Sequence, residues 1–162
     1  MKYFAYGSNM MTPWLHRRIP AAECLGIATL YGFEIRWHKR SDDGSGKCNL
    51  LLHDHGPSTN GVLYALTEGS ETELDRAEGG YVRGVVQVEI GGLVTPADTY
   101  FAHVRYINER LQPHDWYKQL VVACALMHGL PPAYIARLAA QQSWPGGDSE
   151  DATEARRILK QH

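Results

Sequence analysis

Two short stretches carry residue types suited to acyl chemistry. The first is YFAYGSNM, Tyr3 to Met10, where an aromatic run ends on Gly7, Ser8 and Asn9, with Thr12-Pro13 close behind. A strand that stops this way just before a helix start leaves backbone N–H groups free to converge on an anion. Gly7 suits such a loop because it lets backbone approach a ligand that a side chain would block. Three uses stay open on these residues alone: a phosphate cradle, an oxyanion site for acyl transfer, or a plain strand-to-turn connection. A Walker loop is set aside, since the GxxxxGK[ST] pattern is absent.

The second stretch is LDRAEGGYVR, which contains Glu78. Ser70-Glu71-Thr72-Glu73 has the spacing of a capping box, so a helix is predicted to start there and stop at Gly79-Gly80. That places Glu78 at the helix C-terminus, where the dipole disfavours a carboxylate and burial would disfavour it further. Both push its pKa upward, toward the range in which a glutamate accepts and returns a proton near neutral pH. The bland alternative is a solvated glutamate beside a Gly-Gly stop. Tyr117 is a third candidate, either a packed surface tyrosine or one whose hydroxyl orients a polar substrate.

His38, Cys48, His53 and His55 invite a metal reading, with His53 and His55 expected on one strand face. Their spacing matches no standard zinc pattern, and Leu50-Leu51-Leu52 reads as core, so no metal is expected. Cys24, Cys48 and Cys124 are odd in number and far apart, which argues for idle thiols rather than a disulfide framework. His16, His103, His114 and His128 have no evident partner and read as surface or satisfied residues.

The elements that would position these groups follow from patterning. Strands are predicted at Tyr3–Tyr6, Gly26–Leu30, Phe33–His38, Leu50–His53, Val62–Leu66, Val82–Ile90 and Thr99–Tyr106. Val86, Val88 and Ile90 alternate with Gln87 and Glu89, the mark of a strand with one wet face. Ser41 to Gly46 reads as a flexible loop. Thr12 resembles an N-cap with Pro13 at the first helical position. Trp116, Leu120, Val121, Cys124 and Met127 share helical spacing from Asp115 to His128, with Gly129 as its stop. Pro131-Pro132 opens a second helix, and a polar helix from about Ser149 to Lys160 closes the chain. Strands first and helices last point to an α+β domain rather than alternating βαβ units.

A length of 162 residues fits one domain, 1–162, with the C-terminal helix from about 148 peripheral. A net charge of −2 with dispersed basic residues lacks the clustered stripe of a nucleic-acid surface. No apolar run approaches the roughly 20 residues of a membrane span. The N-terminal residues show no apolar stretch or cleavage site, so a cytoplasmic location is expected.

Taken together, several stretches resemble the γ-glutamylcyclotransferase family, also called AIG2-like. They are YFAYGSNM, GVLYAL at Gly61 to Leu66, LDRAEG at Leu74 to Gly79 with YVR following, and WYKQLVVACALMHGLP from Trp116 to Pro131. The similarity is ordered and runs from Tyr3 to about Leu138. It implies a compact mixed β-barrel flanked by helices, and release of 5-oxoproline from small γ-glutamyl compounds without metal or organic cofactor. It also implies Glu78 as catalytic acid/base and Tyr3, Phe4, Ala5, Tyr6, Gly7, Ser8, Asn9 and Tyr117 as substrate-binding residues. Two departures stand out: a short Glu78–Tyr81 segment, which requires the next strand to begin almost at once, and the Ser41–Gly46 loop, where substrate selection can differ. The competing class is a non-catalytic module holding a small anionic metabolite or a peptide in the same pocket. Glu78 discriminates, because an anion pocket gains nothing from a carboxylate whereas cyclisation needs one.

Overall fold

The computed structural model describes residues 1–161; His162, last in the span assigned to the domain, lies outside the described residues. Five strands close into a barrel in the order β1 (Lys2–Ala5), β5 (Thr59–Ala65), β2 (Glu23–Leu30), β6 (Tyr81–Ile90) and β7 (Leu93–Ala102). Its neighbours are antiparallel except at the closure, where β1 meets β7 in parallel at Tyr3 and Asp98. The barrel is therefore mixed, and it leaves β1 flanked on both edges. Its side-chain faces are covered as well: Tyr3, Phe4 and Ala5 are all buried although successive residues point to opposite faces, which accounts for the unbroken apolar run of β1. A separate two-stranded sheet pairs β3 (Phe33–Arg40) with β4 (Gly46–Leu52).

The helices are α1 (Thr12–His16), α2 (Ser70–Ala77), α3 (Asp115–Met127), α4 (Pro132–Ala140) and α5 (Glu150–Leu159). Helix α3 buries Trp116, Tyr117, Leu120, Val121, Cys124 and Ala125, the stripe read from its spacing. Helix α5 is capped by Ser149, whose hydroxyl accepts the Ala152 N–H at 3.0 Å. It packs against α3 and α1 rather than lying loose at the periphery, burying Ala152, Ala155 and Ile158, which recur at helical spacing. Among the described residues no helix is long and apolar enough to cross a membrane.

Several local expectations are corrected. Neither predicted side-chain cap forms. Helix α1 begins on Thr12, and that hydroxyl turns to the Tyr64 hydroxyl at 3.0 Å. Helix α2 is preceded by Gly69 at φ +89°, while Ser70 pairs with the Thr67 hydroxyl at 2.9 Å instead of closing a capping box. The last strand spans Leu93–Ala102, not Thr99–Tyr106, and Val104–Tyr106 form a 3₁₀ turn. Pro96 disguised its first half. The stretch Leu93–Ala97 pairs only with β6, so a residue lacking an N–H is tolerated on the open edge. The Ser41–Gly46 segment is a tight turn rather than an open loop, closed by the Ser41 N–H on the Ser45 carbonyl (2.9 Å) and the Gly44 N–H on the Ser41 carbonyl (3.0 Å). Strand β4 ends at Leu52, so His53 and His55 sit in the turn beyond it and share no strand face.

Candidate active site

Where β1 ends, the chain turns through Tyr6 and Gly7 into a 3₁₀ turn at Ser8–Met10. The turn is closed by the Met10 N–H on the Gly7 carbonyl and the Met11 N–H on the Ser8 carbonyl, each at 3.0 Å. As at any helix start, the preceding N–H groups have no intrahelical acceptor; here they belong to Gly7, Ser8 and Asn9. Close approach is what demands the glycine. A Cβ on Gly7 would lie 3.1 Å from the Tyr117 hydroxyl and 3.3 Å from Cys48 Cβ. Its φ of −115° is one that any residue adopts.

Glu78 is the residue that ends α2. Its N–H donates to the Leu74 carbonyl at 2.9 Å, and its own carbonyl accepts the Tyr81 N–H at 3.1 Å. The short Glu78–Tyr81 segment is thus a single turn leading straight into β6. The Glu78 carboxylate accepts a hydrogen bond from Asn9 Nδ2 at 2.7 Å. The same amide nitrogen donates to the Tyr3 hydroxyl at 3.0 Å, and Asn9 Oδ1 accepts from Arg18 at 3.2 Å. Both N–H donors of the Asn9 amide are therefore committed to protein, and its oxygen carries one protein hydrogen bond. Burial raises the Glu78 pKa, against the lowering influence of Arg18, the Asn9 hydrogen bond and Lys39.

Tyr3, Tyr6, Gly7, Ser8, Asn9, Glu78 and Tyr117 line one small cavity of about 40 Å³, together with Cys48, Tyr81 and Tyr100. It shares Ser8, Glu78, Tyr81 and Tyr117 with a larger cavity of about 450 Å³. The peptide groups of β4 hold two of these tyrosines: the Cys48 N–H donates to the Tyr117 hydroxyl at 3.3 Å, and the Tyr81 hydroxyl donates to the Cys48 carbonyl at 2.6 Å. Burial pushes the hydroxyls of Tyr3, Tyr6, Tyr81 and Tyr117 well above the ordinary tyrosine range, so they stay neutral. Burial likewise pushes the Cys48 thiol up to about 12, which leaves it protonated and a poor nucleophile.

Seven of the nine anticipated site residues meet in this cavity. Phe4 and Ala5 do not line it; both are fully buried in the core. Arg18, Lys39, Lys47, Tyr81 and Tyr100 were not anticipated. Lys39 escaped because Trp37, His38 and Lys39 are buried in succession, at a register shift between Arg36 and Lys39 that breaks strand alternation. Ser41 and Asp42 of the tight turn and Asp151 of α5 border the larger cavity. His38 and His53 serve separate ends. His38 is held between Glu109 (2.8 Å) and Asn49 (2.9 Å), and His53 faces Glu34 at 3.1 Å.

A closed mixed barrel with a carboxylate set in a tyrosine-walled cavity that a Gly-Ser turn also lines defines the class: an α+β barrel protein with a pocket equipped for acid–base work on a small molecule. The family model described as "Gamma-glutamyl cyclotransferase, AIG2-like" matches residues 3–119, and the chain belongs to that family. It is 28% identical over 146 residues to the human γ-glutamylcyclotransferase, covering 85% of this chain and 77% of that one. Identity to the mouse γ-glutamylcyclotransferase is 27% over 144 residues, again covering 85% and 77%. A solved structure of a γ-glutamyl cyclotransferase superposes with a TM-score of 0.88 at 26% identity, covering 99% of this chain and 98% of that one. The chain is accordingly an enzyme of the γ-glutamylcyclotransferase type, and the barrel flanked by helices is the fold that resemblance implied.

Proposed function

We propose that this enzyme cyclises a γ-glutamyl amide, releasing 5-oxoproline and a free amine, with Glu78 as the acid/base and the Gly7–Ser8 turn as the oxyanion site. The observation that carries the reading is the meeting, in one small cavity, of a carboxylate whose pKa burial has raised and a turn whose N–H groups lack intrahelical acceptors. The substrate brings its own nucleophile, the α-amino group of the glutamyl unit. As an ammonium ion it cannot attack, so Glu78 takes one of its protons. The amine nitrogen then bonds to the γ-carbonyl carbon, and the C=O electron pair moves onto oxygen. Backbone N–H groups of the turn stabilise that oxyanion; one such donor is worth about 3 kcal/mol in acyl-transfer sites. As the oxyanion re-forms the C=O, the bond to the departing nitrogen breaks and that nitrogen takes up the proton held by Glu78; the freed carboxylate then takes the extra proton from the ring nitrogen and passes it to the departing amine, leaving a neutral lactam and an ammonium ion.

Asn9 takes a different role from the one the resemblance implies. With its amide engaged by Glu78, Tyr3 and Arg18, it orients the carboxylate rather than the substrate. Tyr3, Tyr6 and Tyr117 form walls that fold the glutamyl chain so that amine and carbonyl meet. The test is release of 5-oxoproline from a panel of γ-glutamyl amides by the parent protein and by Glu78→Gln. Product from the parent and none from the variant supports the reading. Equal turnover by both removes Glu78 from the mechanism, and no turnover across the panel removes the reaction.

A further inference from the structure

We propose that Asp75 is a positioning residue: it clamps the last turn of α2 to the barrel wall and so sets where Glu78 carries its carboxylate. The proposal rests on the cyclisation reading above. Asp75 lines neither cavity, so it acts only through other groups. Helix α2 has little else to hold it. Of its eight residues only Ser70 and Leu74 are buried, and the Ser70 hydroxyl turns to Thr67. Among the described residues, Asp75 is the one α2 side chain that hydrogen-bonds or ion-pairs with a strand.

The clamp is built on the β6–β7 hairpin. Arg83 of β6 and Tyr100 of β7 stand directly opposite each other in the ladder, and Asp75 Oδ1 meets both. It accepts the Tyr100 hydroxyl at 2.6 Å and lies 3.3 Å from Arg83 Nε. The Arg83 pair is half in water, and a pair of that kind contributes little. The Tyr100 bond is different. Tyr100 is 3% exposed, and its hydroxyl has no other hydrogen-bond partner among the described residues. A buried donor needs an acceptor, and a hydroxyl on a carboxylate is among the short, strong hydrogen bonds.

Helical spacing carries the constraint to Glu78. Positions three and four apart share a face, so Leu74, Asp75 and Glu78 turn toward the barrel together. The stretch LDRAEG then has a division of labour: Leu74 seats the helix in the core, Asp75 fixes its last turn, and Glu78 acts. The same tyrosine also backs the carboxylate from its other side. The Tyr100 ring meets Tyr3 edge-on at 6.0 Å, and the Tyr3 hydroxyl accepts from Asn9, which donates to Glu78. Removing the clamp loosens the turn that ends in Glu78 while Asn9 stays with the end of β1. The carboxylate then drifts from Asn9 and from the Gly7–Ser8 turn alike.

The test is 5-oxoproline release from the γ-glutamyl amides of the panel above, run below the melting range of every variant so that lost activity is not lost fold. Asp75→Ala and Tyr100→Phe are each expected to lower kcat by about 10- to 100-fold, the upper figure being the cost of a misplacement of about 1 Å, with KM changed less than about threefold. Asp75→Asn keeps an oxygen for the Tyr100 hydroxyl and is expected to stay within about threefold of wild type in kcat. The double variant Asp75→Ala/Tyr100→Phe falls no further than the slower single one, because both remove the same bond. Single variants within about twofold of wild type, strictly additive losses, or an Asp75→Asn as slow as Asp75→Ala overturn the proposal. If wild type releases no 5-oxoproline, the cyclisation reading fails by itself. NMR of the Asn9 side-chain amide, assigned with Asn9→Ala, then decides the clamp. An upfield move of the proton bonded to Glu78 in Asp75→Ala and Tyr100→Phe, but not in Asp75→Asn, upholds it; unmoved resonances overturn it.

Discussion

Gly7→Ala is the smallest change that tests the packing of the site. The added methyl would lie 3.1 Å from the Tyr117 hydroxyl and 3.3 Å from Cys48 Cβ, so a neighbour must retreat by a few tenths of an ångström. Tyr117 has little room to do so. It is buried, with Trp37 and Trp116 edge-on at 5.9 and 5.8 Å and Lys47 over its face at 4.4 Å. Overpacking of a tight site costs about 1–3 kcal/mol, and so small a displacement belongs in the lower half, about 1–2 kcal/mol. For a chain of this length that corresponds to a loss of roughly 2–8 °C in Tm. Because the hydroxyl is the first obstacle, removing it should relieve the clash: in a Tyr117→Phe background the same alanine should cost about 1 kcal/mol less. Urea or thermal melts of the four proteins in the double-mutant cycle measure that coupling. Strictly additive losses would refute the reasoning and locate the demand for glycine in the backbone instead.

Three further outcomes follow from the geometry. Glu78→Gln should melt higher than wild type at neutral pH. The native state holds the Glu78 proton more tightly than the unfolded chain, so wild-type stability falls as pH rises from the ordinary glutamate value through the raised native one; the difference should therefore vanish below the ordinary value, as melts across pH will show. Asn9→Ala should lower kcat/KM by about 10- to 100-fold, the range for a lost hydrogen bond to a charged group, and move the acid limb of the pH–rate profile upward, since the lost bond favoured the carboxylate. Ile158→Ala, at a site 1% exposed in α5, should cost about 2–5 kcal/mol by denaturant unfolding if that helix is part of the core.

Much of the fold was legible because it is written in local periodicity. The α3 stripe, the alternation of β6 and the aromatic run of β1 each name an element from a few adjacent residues. The C-terminal placement of Glu78 on its helix also came from local signals, although the capping box that suggested it never forms; the helix starts at Ser70, after Gly69, and Glu78 caps its C-terminus. The first half of β7 was not legible, because Pro96 reads as a breaker unless one knows that its edge of the sheet is open. The two halves of the site, Tyr3–Asn9 and Glu78, could be named as residues capable of acyl chemistry from their types and neighbours. Their contact could not. Asn9 reaches Glu78 across 69 positions of chain, Tyr117 reaches Cys48 across the same number, and the bulge before Lys39 turns a lysine inward. The sequence by itself determined which groups could bind, donate and titrate, since those properties belong to each residue. Only the tertiary structure decided that Asn9 donates to Glu78, that Lys39 borders the larger cavity and that Gly7 packs against Tyr117. Hydrogen bonds, burial and close packing are properties of neighbours, and barrel closure chooses the neighbours.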